Sequence, residues 1–309
     1  MRQPPASQSK TRRGRPGISR TADAVVRRLI ALSGLVAILI LTGIFVFLAL
    51  NSVQAFQEVG LIAMLKGADW YPTSDPASFG FLPSEVGSLW VTFVALLLCV
   101  PVGIGSAIYL SEFTPSGFKE FAKSMVELMA AVPSVVLGLL GLAFVVPWVR
   151  TALGLSSGLT AFSAGLVVGV LCLPTIISIA EDALHAVPES LRQGSLALGN
   201  THWQTTYKVV VPAASSGIFA AVMLGLGRAI GETMVVLMLA GNSGLIIRDP
   251  FDAARTLTGT IAGEMAEVVR GGLHFSVLFA MALVLFAVTF VVNLAADWVL
   301  ERQRRRWRR

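Results

Sequence analysis

Long uncharged apolar stretches alternate along this chain with short segments rich in proline, glycine and charge. No Asp, Glu, Lys or Arg occurs in 29–57, 86–111, 128–149, 151–180, 209–227 or 271–296. After 209 the apolar character resumes beyond Arg228 and Glu232 and continues to about 240. Each stretch is long enough, at about 20 residues, to cross a hydrocarbon core as a helix. The apolar residues run continuously and do not alternate with polar ones. That excludes the strands of a membrane barrel and leaves helices to satisfy the backbone in lipid. The pattern predicts six spans, at about 29–50, 86–110, 128–149, 158–179, 209–240 and 272–296, in an all-α membrane protein.

Small residues recur within the spans at helix-packing distance. Gly165 and Gly169 form a G-x-x-x-G pair, Gly227 and Gly231 form another, and Ala221 with Gly225 extends the second. In lipid such residues let helix backbones approach closely, so a tight bundle is expected.

Composition agrees. Of 309 residues, 55% are hydrophobic and 14% charged, and mean hydropathy is +0.75. A soluble domain carries about 25% charged residues. An ordinary cytosolic enzyme, a disordered protein and a disulfide scaffold are excluded. Net charge is +6, but residues 1–28 carry +7 and residues 301–309 carry +5, so the rest of the chain is acidic at −6. Basic ends beside spans are a topological signal, not a nucleic-acid surface. An even number of spans puts both tails on one side, so both termini are expected in the cytoplasm, with the chain multi-pass in the inner membrane and in contact with its lipids. The loops between the spans do not separate the two sides by charge. The first apolar run is longer than a secretory signal core, with only a faint cleavage pattern at 53–55, and reads as a retained anchor. Cys99 and Cys172 lie in apolar runs, belong to no Cys/His cluster, and read as buried thiols with no metal bound.

The loops differ in information. The first outer one, 51–85, holds aromatics around Trp70-Tyr71-Pro72 and Phe79-Gly80-Phe81, which suit either an interfacial belt or a docking surface. The last outer one, 241–270, contains a helix-like stretch at 257–269. The first inner one begins Thr114-Pro115, a cap followed by a first-turn proline, and then sets Phe118, Phe121 and Met125 on one face, as an interfacial helix would. The second inner one, 181–211, holds two helices. Pro188 and Glu189 open the first, Gly199-Asn200 stops it, and Thr201-His202-Trp203-Gln204 is a capping box that starts the second.

The string Gln193-Gly194-Ser195-Leu196-Ala197-Leu198-Gly199, nine residues, then Val209-Val210-Val211-Pro212, resembles the E-A-A loop of binding-protein-dependent ABC importer permeases of the MetI-like type. Gly199 and Pro212 match at the right separation, whereas Gln193, Gly194 and Ser195 depart from the triplet. The resemblance implies a six-helix permease domain at 29–300. In it a coupling helix docks on a separate ATPase through Glu189, Arg192, Gln193, Gly194, Ser195, Gly199 and Pro212. The chain itself has no G-x-x-x-x-G-K-[S/T] phosphate loop. It is therefore expected to be a transport subunit and not an enzyme. ATP and Mg would be used by the partner, with no cofactor bound here.

Arg228 and Glu232 stand i, i+4 inside a span, on one face of a continuous helix. Arg228 lies 16 residues past Pro212, on the order of 24 Å along a straight helix, which predicts the outer half of the membrane. An arginine at a span centre costs about 2.5–3.5 kcal/mol. It serves either to attract an anionic substrate, as part of a structural pair, or as a side chain reaching outward to water. The string Gly227-Arg228-Ala229-Ile230-Gly231-Glu232-Thr233-Met234, followed by Ala240-Gly241-Asn242, is similar to phosphate ABC importer permeases of the PstC type. So are Trp70-Tyr71-Pro72, 108–112, Val132-Pro133-Ser134-Val135, Thr256-Leu257-Thr258 and Glu264-Met265. The resemblance spans about 70–301 and implies phosphate import, with Arg228, Glu232 and Thr233 on the substrate pathway. Its implied partners are a PstA-like second permease, a PstB-like ATPase dimer and a PstS-like external phosphate-binding protein. Import of another oxyanion or small solute, and a phosphate-sensing scaffold, remain open alternatives.

Overall fold

A computed structural model describes residues 20–307; residues 1–19 and 308–309, parts of the two basic tails, lie outside the described residues. Helix α1 (Arg20–Asn51) forms a unit of its own through Phe47. Its side chains from 24 to 47 are exposed, and an apolar helix of that kind suits lipid, not water.

The second unit begins at Leu48. It opens with short helices α2 (Val53–Glu58) and α3 (Leu61–Lys66) and a two-residue hairpin, β1 (Trp70–Tyr71) and β2 (Ser78–Phe79). Helix α4 (Leu82–Ile108) follows and runs on through a π-helical turn, Tyr109–Phe113. After α5 (Ser116–Ala131) come α6 (Ser134–Leu140) and α7 (Val146–Leu153), joined by a second π turn, and then α8 (Ala161–His185). Short helices α9 (Glu189–Ala197), α10 (His202–Thr205) and α11 (Val211–Ala213) precede α12 (Ser215–Gly231) and α13 (Met234–Leu239). Helix α14 (Leu257–Glu264) lies in the following loop, and α15 (Leu273–Trp307) closes the chain, helical into the basic tail.

Among the described residues, five helical runs are long and apolar enough to cross a membrane, and a sixth arises if 202–213 and Ser215–Gly231, bent by 69°, form one span. The straight helix expected at 209–240 is therefore corrected. Pro212 supplies no amide hydrogen and crowds the carbonyl one turn earlier. A π turn at Thr206–Val210 precedes it, and the bend falls at Ala214. A second break comes at Glu232, whose backbone is extended (φ −69°, ψ 129°).

The core lies where α4, α8 and α12 pack. Val91, Ala95 and Cys99 of α4 meet Val168, Cys172 and Ile176 of α8, with Ala221 of α12 beside them, all buried. Lipid tails are as apolar as these side chains, so close van der Waals contact holds the helices together. Glycine permits it: a Cβ on Gly165 would sit 2.6 Å from the Val94 Cβ, and one on Gly225 2.7 Å from Ile176. Gly169 likewise abuts Ala95 and Leu98. Gly227 and Gly231 do not pack this way; nothing lies within 4 Å of where their Cβ atoms would be.

A second cluster forms around the hairpin. Trp70 pairs with Phe79, and both join Met64, Phe81, Leu257, Leu278 and Met281 in a buried group. The backbones of Gly67 and Gly80 touch, leaving no room for a side chain on either. Trp70, Phe79 and Phe81 are thus core, neither belt nor docking surface, and only Tyr71 of the strand pair is exposed. In the first inner loop Thr114 does not cap α5. Its hydroxyl donates to the Tyr109 carbonyl at 2.9 Å, closing the π turn, and Pro115 stands at the cap position. Phe118, Phe121 and Met125 of α5 are exposed on the apolar face the sequence predicts.

Candidate functional site: a half-buried arginine and a cantilevered helix

Arg228 lies one turn from the end of α12. Its Nη1 donates to the Thr175 hydroxyl of α8 at 2.9 Å. Thr175 stands in the middle of α8, about 15 Å from the His185 end and about 21 Å from Ala161 at 1.5 Å per residue. The guanidinium therefore reaches the middle of α8. The bend at Ala214 means that residues counted from Pro212 do not measure depth along one axis. Pro174, just before Thr175, lies inside α8 and removes the amide that would answer the Val170 carbonyl.

Glu232 does not join Arg228; among the described residues no ion pair links them. The helix ends between the two, so the i, i+4 face is lost. Glu232 Oε1 accepts from the Val235 amide at 3.2 Å, capping α13, and its carbonyl accepts from the Thr258 hydroxyl at 2.9 Å. Thr233, whose hydroxyl donates to the Gly231 carbonyl at 3.3 Å, completes the break. Arg228, Glu232, Thr233 and Thr175 are all half-buried. An arginine has five N–H donors, and among the described residues only the bond to Thr175 engages this one. The arrangement offers an anion one cation and several free donors. That suits passing contact and not retention, since firm phosphate binding needs a fuller donor set.

At one end of the bundle, α9 and α10 form as the capping pattern predicts. Gly199 takes φ +87°, and the Thr201–Gln204 capping box is complete. The residues implied for ATPase coupling then divide by face. Glu189, Gln193, Gly194 and Gly199 are exposed, and Leu198 beside them is 86% exposed, with Trp203 at 62%. Ser195 is buried, and its hydroxyl lies 2.9 Å from that of Thr205. Pro212 is half-buried at the bend. Arg192 turns inward: Nη2 lies 2.9 Å from Glu112 Oε1 and 2.9 Å from the Leu184 carbonyl, and Nη1 donates to the Val187 carbonyl.

Two further polar clusters were not paired in the sequence reading. Lys119 and Lys123 of α5 hold Glu181 of α8 at 2.6 and 3.0 Å, and Lys123 also reaches Asp182 at 3.0 Å. These hydrogen bonds, to Glu181 first and then Asp182, hold the Lys123 ammonium above its ordinary pKa. The latch is therefore intact at neutral pH, and its Lys123 arm is lost as pH rises through that raised value. At the other end Glu264 accepts from Trp70 Nε1 at 2.9 Å, pairs with Arg255 and meets His274 Nε2 at 2.9 Å. These residues border a cavity of about 640 Å³. The signals for such pairs were present, as charges at run ends and as Trp70 and Glu264 in the resemblance strings. Lys123 and Glu181 are 58 residues apart and Trp70 and Glu264 194, beyond any local pattern, while Arg255 and His274 lie 9 and 10 residues from Glu264 without helical spacing to mark them. Thr175 was missed because a threonine in an apolar run carries no charge.

Helices long and apolar enough to cross a membrane, a half-buried cation and an exposed helix pair are features that suit a membrane transport subunit. The chain belongs to the family of binding-protein-dependent transport system inner membrane components, whose sequence profile matches residues 99–309. Such a subunit works with a separate ATPase, a binding protein and a second permease, and is itself a multi-pass membrane protein without ATPase activity. The chain is 36% identical over 289 residues to a probable ABC transporter permease protein, YqgH, of Bacillus subtilis, covering 93% of this chain and 94% of that one. It is 33% identical over 316 residues to the phosphate transport system permease protein PstC of Mesorhizobium japonicum, covering 93% and 95%. Its fold matches a chain in the crystal structure of a bacterial alginate ABC transporter in complex with an alginate pentasaccharide-bound periplasmic protein. That match has TM-score 0.62 at 15% identity, over 91% of this chain and 96% of that one.

Proposed function

We propose that this chain is one of two permease subunits of an ATP-driven phosphate importer. The observation that carries the reading is the similarity to PstC proteins along most of the chain, with Arg228 held to the middle of α8 by a single hydroxyl. An external phosphate-binding protein would deliver the anion to the hairpin end. A partner ATPase dimer, using ATP and Mg, would dock on the exposed face of α9, and a PstA-like permease would complete the pathway. Arg228 draws the anion through, and Glu232 and Thr233 line the break beside it. The basic tails support cytoplasmic termini; reporter fusions at residues 1 and 309 should both read cytoplasmic.

Radiolabelled phosphate uptake tests the assignment, in starved cells lacking this gene and carrying wild type or Arg228→Gln at equal membrane levels. Wild type should restore uptake and Arg228→Gln should not. Rescue by both would make Arg228 dispensable for flux. Rescue by neither, with the other subunits present, would point to another cargo, which competition with sulfate and molybdate would identify.

A further inference from the structure

Arg192 lies on the inner side of α9, and its Nη1 also comes within 3.8 Å of exposed Glu189 one turn earlier. Glu189, Gln193, Gly194 and Leu198 point outward, whereas the Arg192 side chain is 16% exposed and that of its partner Glu112 10%. The guanidinium gathers three elements. It bonds Glu112 at the end of α4 through both Nη2, at 2.9 Å, and Nε, at 3.4 Å. It also holds the Leu184 carbonyl, in the last turn of α8, and the Val187 carbonyl of the connection to α9. Ser111 donates to the same Glu112 carboxylate at 2.9 Å. Beside this knot is a cavity of about 620 Å³ bordered by Ser111, His185, Glu189 and His202. With open space there in place of packed side chains, the polar knot ties α9 to the bundle on that side.

We propose that Arg192 is a positioning residue, a clamp that makes α9 move as one body with the ends of α4 and α8, and not a contact to the ATPase. This rests on the reading that α9 receives the ATPase. Two features give the clamp a consequence for transport. Glu112 lies in the last turn of a 32-residue helical run from Leu82 to Phe113; despite Pro101 and the closing π turn, the run is continuous and joins the clamp to the other end of α4. Helix α8, held by the same guanidinium, carries Thr175, which holds Arg228. Displacement of α9 is therefore delivered to both core helices and to the pathway cation. Without the clamp, α9 would turn on the short Ala186–Pro188 connection and dissipate the displacement.

The test uses the full complex in proteoliposomes, with both permeases, the ATPase and the phosphate-loaded binding protein. Phosphate moved per ATP hydrolysed is measured for wild type, Arg192→Met, Glu112→Gln and the double variant. The expected result is that each single variant retains the ATPase in normal ratio while the transport-to-hydrolysis ratio falls roughly tenfold. The double variant should fall no further, because both changes remove one linkage. Unchanged ratios, additive losses, or loss of the ATPase from an otherwise intact Arg192→Met permease pair would overturn the proposal. Should Arg192→Met fail to reach the membrane, the near-isosteric Glu112→Gln carries the test alone. Leu198→Asp on the exposed face separates the underlying reading: if it leaves both ATPase binding and uptake intact, α9 is not the docking helix.

Discussion

One hydroxyl decides how Arg228 is held. Thr175→Val keeps the branched shape and removes the acceptor, and a hydrogen bond to a charged group is worth about 1.5–3 kcal/mol, so uptake should drop roughly tenfold. Thr175→Ser should keep most of it. Equal uptake by the Val variant would show that something other than α8 places the guanidinium. The residue scale is also where the sequence was least transparent. Arg228 could be singled out because a charge in an apolar run has no bland environment. Its relation to Glu232 could not, because i, i+4 spacing presumes a helix that here stops between them. What stops it is partly remote: the Glu232 carbonyl is answered by Thr258 from another element, and the carboxylate is occupied in starting α13.

Among the elements, the α4–α8 interface is where small size matters most. Gly165→Leu would drive a side chain into Val94 and the Val91 carbonyl. Overpacking of this kind costs about 1–3 kcal/mol or more, so the melting temperature in detergent should fall on the order of 5 °C. Gly227→Ala meets nothing within 4 Å and should leave it unchanged. Equal effects at the two sites would contradict the packing described. Both glycine pairs have the same spacing, and only the folded chain distinguishes the one that packs. The helices themselves were legible because hydrophobic run length is a direct physical requirement of crossing lipid. The breaks were not, since an apolar run reads alike whether its helix is straight or bent. The α9–α10 turn was legible to the residue, because capping and a left-handed glycine are local chemistry.

For the molecule as a whole, five spans with a bent sixth among the described residues, basic tail sequences and an exposed helix pair suit a subunit that works within an assembly, and family membership names the kinds of partner. The interruption after Gly231 has a consequence for hydration. Backbone that leaves helical geometry at membrane depth is tolerated only within protein or against water, and Glu232 and Thr233 are half-buried, not sealed. The uncovered side of the break must therefore meet either the second permease or water, and a pathway for an anion requires water there during at least part of the cycle. A membrane-impermeant thiol reagent should modify Thr233→Cys and spare Ala229→Cys, one turn away and 3% exposed. Protection of both would mean that the interruption is dry. The protection at position 233 should rise and fall with the nucleotide bound by the ATPase, because the water that solvates the broken helix is also what a charged anion needs to arrive there.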